Sequence, residues 1–313
     1  MPNQAFQWQG RNDGEGEAHL RIHNIINQSR QATYALMGFC SDAGVKRNLG
    51  RIGAAAGPDA IRAQLANLPV HQPVEMIDLG NVICIDDQLE QAQFELAEMI
   101  DLSLQRKMMP IVLGGGHEVA FASFSGLFKY LHAQHPERRL GIINFDAHFD
   151  LRQAPRPSSG TPFLQAAEVM QQHGKTFNYM CLGVGKHSNT KVLFDTADAL
   201  ACDYLYDHEV TMANLPAVLD RIDQFMAKID DLYVTIDLDV FTSALAPGVS
   251  APAVKGVDLT TFEAIFQHLQ RSGKIRLLDL AECNPTYDID NKTAKLAAYI
   301  VFNFIFAQAE AQA

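Results

Sequence analysis

The stretch LGIINFDAHFD, residues 140–150, decides how this chain folds. Its first half is a nearly continuous apolar run. A strand that is apolar on successive residues has no wet face, so it belongs in a parallel sheet covered on both sides. Working outward, similar runs occupy 34–39, 110–113, 179–184, 232–236 and 275–280. Between them lie amphipathic helical patterns at 58–68, 89–107, 118–132, 216–229, 259–271 and 292–308. Gly57-Pro58 is a helix start, since Pro suits the first turn. Strand–helix alternation of this kind predicts an α/β fold with a mostly parallel sheet. No repeat, low-complexity tract or Ser/Gly linker divides the 313 residues, so a single domain spanning 1–313 is expected, with 1–32 as an extension packed on it. In such a sheet the ligand sits outside the carboxyl ends of the strands. Three long loops, 42–57, 151–162 and 242–257, border that end.

Composition narrows the function. The chain is 48% hydrophobic and 19% charged, ordinary values for a globular protein. A net charge of −11 argues against nucleic acid and against anionic membranes as partners. The five cysteines are odd in number, spread out and without a CxxC pair. They predict reduced thiols in a reducing compartment rather than a disulfide framework or a zinc knuckle. The polar start MPNQAFQWQGRNDGEGE lacks a secretory pattern, and no apolar run is long enough to span a bilayer, so a cytoplasmic location is expected.

Three strand exits carry the chemistry. They are IVLGGGHE at 111–118, INFDAHFD at 143–150 and VTIDLDVF at 234–241. Side chains alternate along an extended segment, so residues two apart share a face. On that spacing Asp146, His148 and Asp150 point together, as do Asp237 and Asp239. Phe145, Ala147, Phe149, Leu238 and Val240 then point into packing. Taken singly, each string reads as a capping aspartate or a satisfied core histidine. Three in one chain, each leaving an apolar strand, predict a metal centre. Four converging aspartates repel and are costly to desolvate, and two divalent cations would offset them. His117 and His148 complete the donor set. Oxygen-rich, with imidazole and without thiolate, it favours Mn²⁺ over structural zinc.

GGGHE, NFDAHFD, TIDLDVF and then LAECNP at 280–285, in that order, resemble the ureohydrolase (arginase-like) superfamily. The resemblance implies a three-layer α/β/α fold, a largely parallel eight-stranded sheet and two Mn²⁺ per subunit. It implies that His117 and Asp150 serve the first ion and His148 and Asp239 the second. Asp146 and Asp237 would bridge both, with a hydroxide between the ions. It also implies a homo-oligomer acting on a small molecule.

Two further strings, GFCSDAGVKRNLGRIG at 38–53 and PSSGTPF at 157–163, resemble the formimidoylglutamase branch. Phe163 stands where arginases and agmatinases usually carry a histidine. The implied reaction is hydrolysis of N-formimidoyl-L-glutamate to L-glutamate and formamide in histidine degradation, by hydroxide attack on the formimidoyl carbon. Asp150 would carry a proton to the leaving amine, or serve purely as a ligand. Glu282 would accept hydrogen bonds from the cationic head, or be a turn residue before Asn284-Pro285. The substrate carboxylates call for cations further out. Lys46, Arg47, Arg51, Arg152 and Arg156 lie on the flanking loops; Arg51 is the first choice, with Asn48 as helper, followed by Arg152. Ser159 and Thr161 offer hydroxyls, although such residues also cap turns. An agmatinase or another guanidino hydrolase is the alternative within the superfamily, and a catalytically silent binding homologue is the alternative outside catalysis. Gly183-Val-Gly185 lacks a third glycine at dinucleotide spacing and reads as a tight turn. The stretch KHSNT at 186–190 is expected to line the pocket, with His187 as a pocket-wall or surface residue rather than a further metal ligand, and Phe302, Phe304 and Phe306 read as core or subunit contact.

Overall fold

Alternate residues of each apolar strand leave to opposite sides, and the two sides meet separate cores. Ile143 and Phe145 join one core and Ile142 the other; Leu278 and Leu280 join the first and Leu277 the second. Each such fully buried side chain contributes about 1.5–3 kcal/mol by leaving water.

The structure, a computed structural model, describes residues 6–29 and 32–310. In chain order the elements are α1 (Ile22–Ile25), β1 (Tyr34–Cys40), α2 (Ala43–Arg47), α3 (Gly57–Leu65), β2 (Met76–Ile83), α4 (Leu89–Gln105), β3 (Met109–Leu113), α5 (Val119–Gln134) and β4 (Leu140–Phe145). They continue with α6 (Pro162–Gln172), β5 (Asn178–Val184), α7 (Lys191–Ala199), β6 (Asp203–Tyr206), α8 (Leu215–Met226), β7 (Asp231–Asp237), α9 (Leu259–Arg271), β8 (Ile275–Ala281) and α10 (Lys292–Glu310). The strands form one eight-stranded sheet in the order β2-β1-β3-β8-β7-β4-β5-β6, with every pairing parallel. Helices α3, α8, α9 and α10 cover one face, and α4, α5, α6 and α7 cover the other. This is a three-layer α/β/α fold.

Of the N-terminal segment expected at 1–32, residues 1–5 and 30–31 lie outside the described residues, as do 311–313 at the other end. The described part lies against the body. Trp8 Nε1 donates to Asp78 at 2.8 Å, and Ile22 and Ile26 are buried in the α3/α10 core. No described helix is long and apolar enough to cross a membrane.

The six expected strands appear within a residue or two of their expected ends. Two more, β2 and β6, complete the eight strands that the resemblance implied but that the apolar runs did not locate, and both are sheet edges. The loop 42–57 contains the short helix α2, and the helices α6 and α7 add to the expected set. The order of strands sets the site. β3, β8, β7 and β4 are consecutive neighbours at the centre of the sheet. Their carboxyl ends lead directly into His117, Glu282, Asp237 and Asp146.

Candidate metal centre

The three glycines after β3 let the chain pass close to its neighbour. A Cβ at Gly115 would stand 1.8 Å from the Ser41 carbonyl oxygen, so no larger residue fits. The turn sets His117, 1% exposed, at the head of α5. Its Nδ1 lies 2.9 Å from Asp150 Oδ2, 3.1 Å from Asp146 Oδ2 and 3.2 Å from Asp237 Oδ2. A second group adjoins it. His148 Nδ1 lies 3.1 Å from Asp239 Oδ2 and 3.4 Å from Asp146 Oδ1. In each group, His117-Asp146-Asp150-Asp237 and Asp146-His148-Asp239, the donor atoms fall within 4.8 Å of one another. Asp146 belongs to both through its two oxygens. Asp237 belongs to the first, and its other oxygen accepts the Asp239 N–H.

The residues converge, but not by the extended alternation expected from their spacing. β4 ends at Phe145, before the first ligand, and Asp239 lies in a 3-10 turn at Leu238–Val240. Aspartate side chains fold the backbone instead. Asp146 Oδ1 accepts the N–H of His148 at 2.7 Å, and Asp237 Oδ1 accepts that of Asp239 at 2.8 Å. Each Asp thereby makes a local turn onto the residue two ahead. Asp150 and Glu282 adopt φ of 50° and 68°. That left-handed conformation costs about 1–2 kcal/mol in a residue with a Cβ, so surrounding contacts must hold it.

The electrostatics ask for a cation. Burial and then the Asp239 and Asp146 charges push Asp237 well above the usual carboxylate range. Burial and Asp146 push Asp150 up to about 6. Burial and then Glu118 push Glu282 up to about 8. Asp146 is held low against its burial by His117 and His148. Burial disfavours a charge on His117, yet the three carboxylates around it hold the ring well above its ordinary value. His117 Nε2 lies 3.0 Å from Thr235 Oγ1, whereas the buried Nδ1 has no hydrogen-bond partner and faces three carboxylate oxygens. A cluster of carboxylates closed around one buried imidazole nitrogen in a dry site fits a bound divalent cation, which would take the place of the imidazole proton.

A cavity of about 350 Å³ opens above these residues. His117, His148, Asp150, Asp237, Asp239 and Glu282 line its floor. Glu282 Oε1 accepts the His117 N–H at 3.0 Å, and its buried Oε2 has no partner. Asn48, Arg51, Arg152 and Ser159 reach the wall; Thr161 does not. The Thr161 hydroxyl is engaged by Ser158 and Gln165, as a turn cap. Arg51 donates through Nε to the Ser250 carbonyl at 2.9 Å and through Nη2 to that of Val249. Its guanidinium also lies 4.1 Å over the Tyr287 ring. Arg47 pairs with Asp87 and Glu90, Arg156 pairs with Asp87, and neither lines the cavity. Arg152 differs: its guanidinium has no partner among the described residues. Asn48 Nδ2 donates to Ser159 Oγ beside it at 3.2 Å. Phe163 is fully buried with its ring 5.5 Å from the His117 imidazole, a packing role.

Residues 32–307 match the Arginase family. The chain belongs to the arginase family. The chain is 48% identical over 305 residues to the formimidoylglutamase of Aeromonas hydrophila, covering 95% of this chain and 96% of that protein. It is 47% identical over 301 residues to that of Ralstonia nicotianae, covering 94% and 93%. A crystal structure of Trypanosoma cruzi formiminoglutamase with Mn²⁺ superposes with a TM-score of 0.81 at 25% identity, covering 93% of this chain and 98% of that one. This member of the arginase family is therefore an amidine hydrolase.

Asn189, in the 186–190 stretch expected to line the pocket, does line it, whereas Asn144 and Glu118, which also support this arginase-family centre, escaped the sequence reading. Asn189 accepts the Phe149 N–H at 3.1 Å and donates to the Ala147 and Gly185 carbonyls at 2.8 and 2.9 Å. It thus clamps the two residues that alternate with the ligands of 146–150 and holds the left-handed Asp150 in place. Asn144 donates to Asp146 Oδ2 at 2.9 Å. Glu118, fully buried, accepts from Ser41 Oγ and the Gly44 N–H, both at 2.9 Å, and ties the α2 loop to the β3 exit. A polar residue inside an apolar strand was the available signal for Asn144, Thr235 and Asp279.

Proposed function

We propose that this enzyme hydrolyses N-formimidoyl-L-glutamate to L-glutamate and formamide, as a step of histidine degradation, with two Mn²⁺ per subunit. The observation that carries the reading is the polarity of the cavity. Its floor is a cluster of carboxylates with Glu282 Oε2 unpartnered, and its wall holds the unpaired Arg152 beside Asn48 and Ser159. A substrate cationic at the formimidoyl end and anionic at the glutamate end matches that gradient. The identities of 48% and 47% to formimidoylglutamases support the same substrate. Manganese is supported by the oxygen-rich donor set and by the Mn²⁺ of the T. cruzi structure.

His117, Asp146, Asp150 and Asp237 would hold one ion and Asp146, His148 and Asp239 the other. When bound, the pair supplies charge that offsets the carboxylates and lowers the pKa of a water, the nucleophile of hydrolysis. Glu282 Oε2 accepts an N–H of the cationic head and turns the formimidoyl carbon toward the floor. Arg152, with Asn48 and Ser159, holds a carboxylate at the other end. Water oxygen bonds to the formimidoyl carbon, and the bond from that carbon to the glutamate nitrogen breaks. The departing nitrogen takes a proton, and Asp150 carries it. Asp150 suits this role because it is 12% exposed to the cavity, whereas Asp146 and Asp237 are 0% and 4% exposed. The five cysteines are unpaired thiols, which supports a cytoplasmic location.

Formimidoylglutamate, arginine and agmatine offered to the manganese-loaded protein test the reading. Release of formamide from the first alone is expected. Urea from arginine or agmatine would move the substrate to a guanidine, and inactivity toward all three would make the chain a binding homologue.

A further inference from the structure

Asp279 is a buried carboxylate that the chemistry above does not use. It lies within β8, 0% exposed, and does not line the cavity. Tyr233 donates its hydroxyl to Asp279 Oδ2 at 2.5 Å. The sheet register sets Thr235 of β7 directly beside Asp279. On its other side Thr235 Oγ1 meets His117 Nε2 at 3.0 Å. Burial pushes the Asp279 carboxyl up, while the Ser123, Thr235 and Tyr233 hydroxyls pull it down. Asp279 thus accepts from Tyr233 through Oδ2, while its buried Oδ1 has no hydrogen-bond partner among the described residues.

Proton bookkeeping gives this chain a direction. His117 Nδ1 faces Asp146, Asp150 and Asp237, so that nitrogen must carry a lone pair if it is to bind a cation. The ring proton then sits on Nε2 and is donated to Thr235 Oγ1. A hydroxyl has one hydrogen. With its oxygen accepting from the imidazole, Thr235 must send that hydrogen elsewhere, and the buried, unpartnered Oδ1 of Asp279, its neighbour across the sheet, is the acceptor at hand. Without this acceptor the hydroxyl can turn and donate to Nε2. The ring proton would then stand on Nδ1, where the cation belongs.

We propose that Asp279 is a positioning residue that acts through Thr235 to hold His117 in its cation-binding tautomer. The inference rests on the metal-centre reading above and concerns only the first ion. Among the described residues His148 has no comparable chain; its ion pairs are with Asp146 and Asp239, and it is 27% exposed.

The test is calorimetric titration of the metal-stripped full-length protein with Mn²⁺, with metal-free thermal unfolding as control. Wild type should bind two ions. Thr235→Val should weaken one ion about 10–100-fold, the usual effect of removing a group that orients a ligand, and leave the other unchanged. Thr235→Ser, which keeps the hydroxyl, should restore it. Asp279→Leu should weaken the same ion, and the double variant should be no weaker than Thr235→Val alone, because one residue acts through the other. Wild-type affinities in Thr235→Val would overturn the relay, as would equal weakening of both ions or additive losses in the double variant. A wild type that binds fewer than two ions would overturn the metal-centre reading itself, whatever the variants do. Should Asp279→Leu fail to fold, the Val and Ser pair still decides whether the hydroxyl acts on one ion.

Discussion

The floor and the wall of the cavity are built from opposite materials. On the floor, Asp146, His148, Asp237 and Asp239 leave neighbouring central strands and hydrogen-bond their own backbone into turns. On the wall, Asn48, Arg51, Arg152 and Ser159 come from loops, and their positions depend on what else those loops touch. On the floor an orphaned charge is the working part, since only a ligand can relieve it. Most of the loop cations around the cavity already have partners: Arg51, on the wall, holds carbonyls of the 249–250 loop, while Arg47 and Arg156, outside the cavity, clamp Asp87. On the proposed reading, the cation open to a substrate is the one without a side-chain partner among the described residues, Arg152.

The largest effect should come from the residue shared by both donor groups. Asp146→Ala removes an oxygen from each and should lower activity by about a thousandfold or more, as several kcal/mol of transition-state stabilisation is lost. Metal analysis should find both ions weakened. Full occupancy by two tightly held ions would break the assignment of the floor. Next comes Glu282→Gln, which keeps an acceptor for the His117 N–H but removes the carboxylate that bound cations and a cationic substrate head would hold ionised. Loss of one charge-assisted hydrogen bond, about 1.5–3 kcal/mol, corresponds to about 10–100-fold in kcat/KM. Metal content should not change; an enzyme as active as wild type would make Glu282 a turn residue.

These two regions also differ in how far they could be read from the sequence. The central strands were legible because burial on both faces makes them continuously apolar, and polar residues at their exits stand out against that background. The edges were not. β2 carries Asp78, Gly80 and Asn81, and β6 has four residues, so neither shows the apolar run of a doubly covered strand. The floor residues were legible by identity, but the reason for their convergence was not. Spacing suggested an extended ribbon, whereas the chain closes turns with Asp side chains and takes Asp150 to a positive φ that spacing does not encode. The wall was least legible. Five loop cations look alike in sequence, because whether a guanidinium is free depends on carbonyls and carboxylates far along the chain, such as Ser250 for Arg51.

The contrast between paired and unpaired arginines can be sharpened directly. Arg152→Ala should raise KM for N-formimidoyl-L-glutamate, the proposed substrate, about tenfold or more while kcat and thermal stability stay near wild type, since the guanidinium has no other partner among the described residues. Arg51→Ala should do the reverse. It removes hydrogen bonds to two carbonyls and the contact with Tyr287, worth about 1–3 kcal/mol, so Tm should fall by a few degrees. Michaelis kinetics and thermal unfolding of the two variants side by side are the measurement. A rise in KM for Arg51→Ala without loss of Tm would hand the recognition role back to Arg51.

The smallest effect should come from Thr161, whose hydroxyl on the 151–162 loop was expected either to reach the substrate or to cap a turn. Its hydroxyl accepts the Ser158 N–H at 3.0 Å and engages the Ser158 carbonyl and Gln165 Oε1 at 3.1 and 2.9 Å, at the start of α6. Thr161→Val keeps the shape and deletes those bonds. A buried group that loses its partner costs about 1–3 kcal/mol. Stability should therefore fall slightly, while KM stays at the wild-type value. Ser159→Ala is the matched comparison: its hydroxyl lies in the cavity beside Asn48, so it should move KM a few-fold and leave Tm alone. If Thr161→Val changes KM as much as Ser159→Ala does, the boundary between the wall of the cavity and its supporting turn has been drawn in the wrong place.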